Sequence, residues 1–441
     1  MTNPIVIPEG VPTRIVRIGR GACGELPYVL AQLDLLSQQI LVLQDAHTRI
    51  AAAQRVEAIL RSAGIVAVPL VLDADSSGHV PGDETQVEQV QATVAKHRIG
   101  TIISVGSGVI NDLGKLSARL SGCAYVSVAT AASMNGYGSP IAAIIEKGVK
   151  RTLPAASTLA IIADLDVIAS APIDMTRSGF ADLLSKATAN TDWMLAHLVR
   201  DEPYDPRPHE ILEPIVAACR EQALAIGKAD PAALESLMHG LIFGGFAMTL
   251  AGRSTPASGG EHLISHYWDM QAHARGTAHA LHGYQVAIGT RMCAALYDQL
   301  MKLRKIDVEN AKAAWQPWSK RRKALKTIHG ELFDAIEDEA HQQQLTRKQF
   351  EGEVTHIAND WGNIRKSLKP MLQSLSQVTA CLKSANVPMN IKSLGQTRAA
   401  VRHAFVHATD VRARYTVLDL ARSLNVLDVW ADGLLDDCHI K

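Results

Sequence analysis

Between Thr13 and Ala163 the chain alternates short, continuously apolar runs with segments of helical periodicity. The runs Thr13–Ile18, Gln39–Leu43, Val66–Leu72, Thr101–Val105, Ala124–Ala129 and Thr158–Ala163 have strand length. Strands buried on both faces read as unbroken apolar stretches, because neither side of the pleat meets water. Between them, Ala46–Ala63 places Ile50, Ala53, Val56, Ile59 and Leu60 at helical spacing, and Glu84–His97 is again helical. A parallel pair cannot be joined by a tight turn and needs a crossover, usually a helix. The alternation therefore predicts an α/β domain: a parallel sheet with helices on both faces.

In such sheets ligands bind beyond the carboxyl ends of the strands. The strand Thr101–Val105 runs into Gly106-Ser107-Gly108 and then the helix Val109–Leu120. Glycines there let backbone N–H groups approach a diphosphate, and the positive end of the helix favours the anion. Asp112 and Lys115 fall in the first turns of that helix. Asp45 closes the second strand, where two readings stand: a partner for an adenosine ribose, favouring NAD over NADP, or an N-cap for the next helix. Thr130–Ser139, TAASMNGYGS, is rich in small and hydroxyl residues. It reads either as a cofactor- or substrate-contacting loop or as a plain connection.

Beyond Asp166 glycine-punctuated strands give way to long Ala- and Leu-rich helical segments. This sets the expected domains at 1–166 for nucleotide binding and 167–441 for an all-α domain. Lys+Arg and Asp+Glu balance at 44 each, which points to neither nucleic acid nor an anionic membrane as partner. The six cysteines include no C-x-x-C pair, so free thiols in a reducing, cytoplasmic setting are expected. The N-terminus lacks the features of a secretory signal, and no uninterrupted apolar run approaches the roughly 18 residues of a membrane span. Trp315–Leu375 is charged and helical, with packing or an oligomer surface as its expected role.

The chemistry concentrates in Ser258–Thr290, which carries His262, His266, His273, His279 and His282 among the chain's 17 histidines. His262 and His266 are four apart and share one face of a helix. His282 is followed at once by Gly283. Two imidazoles joined by a carboxylate make a three-ligand site for zinc or a similar divalent ion, with positions left open for substrate. The alternative is a set of satisfied helix histidines. Asp182 follows Gly179-Phe180-Ala181, opens an otherwise apolar, small-residue helix and is a candidate third ligand; its alternative is a surface ion pair with Lys186, one turn on.

Four segments together resemble the sn-glycerol-1-phosphate dehydrogenases, within the superfamily of glycerol dehydrogenases, iron-containing alcohol dehydrogenases and dehydroquinate synthases. They are VGSGVINDLGK, ATAASMNGYGS, GFADLLSKATANTDW, and SGGEHLISHYWDM with LHGYQVAIGT. The resemblance runs from about Thr13 to at least Arg291. It implies a Rossmann-like domain followed by a helical domain, a dehydroquinate-synthase-like architecture with the active site in the cleft between them. It implies Asp182, His262 and His282 as ligands of one divalent metal, zinc foremost, with nickel or iron as alternatives. For NAD or NADP it implies Gly106, Ser107, Gly108 and Asp112 at the diphosphate, Thr130, Ser133 and Ser139 near the nicotinamide, and Asp45 at the ribose. His266 would face the substrate as proton relay, and Asn135 would lie by the substrate hydroxyls.

The resemblance implies a metal-dependent NAD(P)-linked oxidoreductase of a small polyol or polyol phosphate. The named expectation is interconversion of sn-glycerol 1-phosphate and dihydroxyacetone phosphate, by a cytoplasmic homo-oligomer, a dimer. Alternatives are a dehydroquinate-synthase-like cyclase using NAD transiently, a related dehydrogenase of another substrate, and a non-catalytic metabolite sensor. Three departures bear on substrate: Asn135 stands where the family has Asp, Ser254-Thr255-Pro256 replaces Ser-Arg-Pro with Arg253 displaced, and Val109 replaces a hydroxyl residue.

Overall fold

The computed structural model describes residues 5–75, 78–146, 149–277 and 280–441. Six strands form one parallel sheet in the order β1-β8-β5-β4-β2-β3. These are β1 (Ile15–Gly19), β2 (Gln39–Asp45), β3 (Ala67–Leu72), β4 (Ile99–Gly106), β5 (Ala124–Ala129) and β8 (Ala160–Asp164). All six coincide with the apolar runs, within two residues at each end. An antiparallel hairpin, β6 (Ile141–Glu146) with β7 (Val149–Pro154), interrupts the series.

The pleat sorts the apolar residues into two layers. Ile40 and Val42 of β2, Ile103 and Val105 of β4, and Val126 and Val128 of β5 join the core that takes in Leu26, Val29, Leu30, Val56 and Leu60. Leu41, Leu43, Ile102 and Tyr125 point the other way, onto Val87, Val90, Val94, Leu113 and Leu116. This division is the reason the strands read as continuous rather than alternating. The helix expected over Ala46–Ala63 forms with a one-turn π segment at Arg49–Ala53.

The chain gathers into two compact units, Met1–Leu183 with Arg207–Arg253, and Leu184–Pro206 with Ser254–Lys441. The stretches 167–183 and 207–253, read from sequence as part of the all-α domain, pack in the unit that holds the sheet. Helix Pro231–Ala251 is the reason. A Cβ on Gly245 would stand 2.7 Å from the Gly138 carbonyl carbon, and Thr249 Oγ1 donates to Gly138 O at 3.1 Å. This is also the one helix among the described residues long and apolar enough to cross a membrane, and 72% of its apolar window is buried in the protein.

The second unit is helical. Its hub is Asp192 in the helix Lys186–Arg200, whose carboxylate accepts from Gly260 N at 2.7 Å, Val417 N at 2.9 Å and Tyr297 Oη at 2.5 Å. Three otherwise separate segments are thereby tied to one buried side chain. The six cysteines are free thiols. Trp315–Leu375 contributes the helices Trp318–His329, Phe333–Gln342 and Arg347–Leu368.

Candidate metal and nucleotide site

In the sheet, β2 leads outward to β3 while β4 leads the opposite way to β5 and β8. The reversal falls between β2 and β4, and a crevice opens at the carboxyl ends of the strands at such a point. Asp45 closes β2 and Gly106 closes β4, so both flank it. Gly106 is obligatory: a Cβ there would lie 2.5 Å from Ile110 Cβ. Gly108 has φ 21°, and Ser107 stands at the N-cap of the helix Gly108–Ser121 without a side-chain cap bond. The N–H groups of this first turn are thus left for a ligand rather than consumed by the cap. Ser107 Oγ and Ser133 Oγ share a short hydrogen bond, joining the glycine-rich loop to the loop after β5.

The other nucleotide-side residues are placed as follows. Asp45 accepts the Thr48 N–H at 2.7 Å in a full capping box, so the cap role is occupied through Oδ1. Asp112 Oδ2 accepts from Ala143 N at 3.0 Å, pinning the β6–β7 hairpin. Thr130 N donates to Gly106 O at 3.3 Å. Ser139 is buried, and its hydroxyl lies within a cage formed by Gly136 O, Ile141 O and Lys115 Nζ. Lys115, in the first turns of the same helix, is fully buried; it donates to Gly136 O at 2.7 Å and Ile141 O at 2.6 Å. Burial lowers its pKa, and the carboxylate of Asp112 at 3.2 Å opposes that shift. Val109 is 40% exposed at the mouth of the loop.

The loop Thr130–Asn135 is held by an unusually close approach. Gly179 in the helix Ile173–Leu184 packs so tightly that a Cβ there would be 2.0 Å from Ala132 O. One turn on, Asp182 Oδ1 accepts from Asn135 Nδ2 at 3.4 Å.

Asp182, His262 and His282 each offer a ligand atom, and these atoms all lie within 4.8 Å of one another. His262 is in the first turns of the helix Gly260–Ala274, and His282 opens the helix His282–Leu300. Their rings are 5.2 Å apart between centroids. The hydrogen bonds behind them assign both tautomers. His262 Nδ1 lies 2.7 Å from Glu261 Oε1, and a carboxylate only accepts, so Nδ1 donates there and Nε2 is the nitrogen turned away from Glu261. Ser265 donates its one hydroxyl hydrogen to Gln285 Oε1 at 2.7 Å, so at 3.2 Å it accepts from His282 Nδ1, and Nε2 is again the nitrogen on the far side of the ring. Two imidazole nitrogens and a carboxylate oxygen at this spacing are a suitable donor set for a divalent ion.

Glu261 is fully buried and also accepts from Gly259 N at 2.7 Å and Thr188 Oγ1 at 2.9 Å. Burial, and then the charge of Glu261, push Asp192 up to about 7. Burial works to raise Glu261 as well, yet the hydrogen bonds from His262 and from Gly259 N hold it below the usual carboxylate range. Sequence reasoning passed over Glu261 and Ser265; an acidic residue directly before a candidate ligand histidine was the available signal. His266 is partly exposed, its ring 6.0 Å from His262 and 6.1 Å from His282. His273 is exposed, and His279 lies outside the described residues. Lys186 Nζ donates to Ala257 O at 2.9 Å, and Arg253 is exposed.

A family model described as iron-containing alcohol dehydrogenase matches residues 17–172. The NAD(P)+ glycerol-1-phosphate dehydrogenase of Halalkalibacterium halodurans is 33% identical over 282 residues, 64% of this chain and 70% of that one. The enzyme of the same name from Bacillus subtilis is 31% identical over 384 residues, covering 87% and 84%. The crystal structure of glycerol dehydrogenase from Schizosaccharomyces pombe superposes with a TM-score of 0.61 at 15% identity, over 100% of this chain and 94% of that one. That likeness establishes the dehydroquinate-synthase-like fold class expected from sequence: an α/β Rossmann-like part and a helical remainder. Relatedness at this identity and coverage establishes the lineage: the chain belongs to the glycerol-1-phosphate dehydrogenase family.

Proposed function

We propose that this protein is an NAD(P)-dependent, metal-dependent dehydrogenase that interconverts dihydroxyacetone phosphate and sn-glycerol 1-phosphate. The observation that carries the reading is the convergence of Asp182, His262 and His282 within 4.8 Å. When bound, a divalent ion supplies Lewis-acid polarisation of a carbonyl and the nicotinamide supplies the hydride. The protein's part is positioning. Glu261 and Ser265 hold the two imidazoles with Nε2 presented. Asn135 bonds Asp182 and, beside it, offers amide groups to the substrate hydroxyls. His266, near both ligand rings but outside the donor set, delivers or accepts the hydroxyl proton.

The coenzyme diphosphate takes the N–H groups of Gly106, Ser107 and Gly108, with Thr130, Ser133 and Ser139 shaping the wall toward the nicotinamide and Asp112 fixing the hairpin beside it. Asp45, at the end of β2, adjoins the ribose. Functionally, residues 1–166 carry the nucleotide and 167–441 the metal and substrate. Zinc is the proposed ion ahead of nickel or iron, and the working form is a cytoplasmic homodimer.

The test is direct. Metal-loaded protein with NADH or NADPH and dihydroxyacetone phosphate loses absorbance at the reduced-nicotinamide band, and metal analysis finds one ion per chain. No loss with any small ketose phosphate, together with phosphate release from the dehydroquinate-synthase substrate, overturns the proposal.

A further inference from the structure

On the helix Gly260–Ala274, Tyr267 and Gln271 lead away from the metal-ligand histidines to a second polar cluster. Tyr267 Oη lies 3.0 Å from His329 Nδ1 and 2.8 Å from His403 Nε2, and His329 Nε2 lies 3.2 Å from Asp410 Oδ2. The proton positions follow in sequence. Burial would raise Asp410, but the His329 bond and the charges of Arg422 and Arg321 hold it well below the usual range, so it is an acceptor only. His329 therefore donates through Nε2 and accepts at Nδ1. Tyr267 donates to His329 and accepts from His403 Nε2–H, which leaves His403 Nδ1 as the open end of the chain.

Tyr267, His329 and His403 line a cavity of about 370 Å³ together with Gln271, Arg275 and Glu331. The Arg275 guanidinium has no hydrogen-bond or ion-pair partner among the described residues, even with Glu331 on the same wall. Gln271 Oε1 is buried and makes no hydrogen bond. The cavity thus offers an unpaired guanidinium, an imidazole end that can add a proton, and an amide acceptor awaiting a donor. An oxyanion matches the first two, and a hydroxyl group matches the third.

We propose that this cavity binds a small hydroxyl-bearing oxyanion of the polyol phosphate class, at a site distinct from the metal centre. The phosphate engages Arg275 and His403, and a ligand hydroxyl donates to Gln271. Nothing in this assignment rests on the redox reading. Burial, then His329 and Arg275, hold His403 below the usual imidazole range, with Asp410 opposing. Tyr267 and Arg275, His329 and Glu331, and His407 and Asp410 are the titratable and charged groups around it. A seated anion favours the imidazolium, so binding takes up a proton and tightens from pH 8 to pH 6.

The experiment is calorimetric titration of the metal-loaded full chain with sn-glycerol 3-phosphate, and separately with inorganic phosphate. The titrations are repeated on Asp182→Ala, which disables the metal centre. Arg275→Ala and His403→Ala are expected to weaken binding at least tenfold, each leaving kcat/KM in phosphate-free buffer within twofold. Gln271→Ala is expected to weaken sn-glycerol 3-phosphate binding and to leave inorganic phosphate unchanged. Isotherms of the Arg275 and His403 variants that superpose on the wild type overturn the assignment. So does binding that vanishes in Asp182→Ala.

Discussion

His262 Nδ1 sits 2.7 Å from the Oε1 of its own sequence neighbour Glu261, inside a helix whose first two turns are almost wholly buried. The carboxylate fixes the ring's tautomer and makes Nε2 the more basic nitrogen. Glu261→Gln keeps an acceptor but removes the charge. Metal affinity is expected to fall by about 10- to 100-fold, read by competition with a chromogenic chelator. An unchanged affinity in a folded variant would show that the carboxylate serves packing only.

Removing a ligand outright is a stronger test. Asp182→Ala, His262→Ala and His282→Ala should each reduce bound metal from about one ion per chain toward zero. Loss of several kcal/mol of Lewis-acid stabilisation corresponds to a fall in kcat/KM of about a thousandfold or more. Full metal stoichiometry in any of the three removes that residue from the set.

Gly179 tests how the helix bearing Asp182 is seated. A methyl group there meets Ala132 O at 2.0 Å, so the helix or the loop must move. Gly179→Ala is expected to cost about 1–3 kcal/mol of stability. A displacement near 1 Å at Asp182 and Asn135 should cost about 100-fold in kcat/KM. Thermal unfolding and steady-state kinetics on one preparation separate the two effects.

Lys115 is the buried cation that closes the loop after β5 onto the hairpin β6–β7. Lys115→Met leaves the carbonyls of Gly136 and Ile141 and the Asp112 carboxylate without their shared donor. About 3–5 kcal/mol should be lost, measured by urea unfolding. A loss under 1 kcal/mol would mean that water takes over the lysine's contacts.

Asp410 gives a pH signature. Its carboxyl is held well below the usual range, so its stabilising contribution is present above the unfolded value of about 3.9 and is lost as pH falls below it. Asp410→Asn should cost about 3–5 kcal/mol near pH 7. The gap between variant and wild type should narrow as the pH falls through 4 toward 2. An equal gap at both ends would assign the loss to packing and not to ionisation.

The α/β half was legible because each strand is apolar on both faces and each crossover carries its own helical period. Those local patterns located all six sheet strands and the glycine-rich turn. The hairpin β6–β7 was not legible: its residues share no stripe that distinguishes a flap from a connection, and Asp112 and Lys115, far back in the chain, hold it in place. Lys115, read from sequence only as lying in the first turns after the glycine-rich loop, is a buried brace. Helix Pro231–Ala251 is so uniformly apolar that nothing in its sequence says which unit it belongs to; close glycine contacts decide that.

At the site, the sequence by itself determined the inventory: two histidines twenty residues apart, an aspartate among small residues, and glycines where backbone must come close; that the aspartate ends a helix and does not open one, the structure decided. Which nitrogen each imidazole presents, and that Glu261 and Ser265 stand behind them, only the tertiary structure decided. Tautomers and second partners depend on hydrogen bonds between residues, and their direction follows from which neighbours have a proton to give. The spacing of letters along a chain does not contain that information.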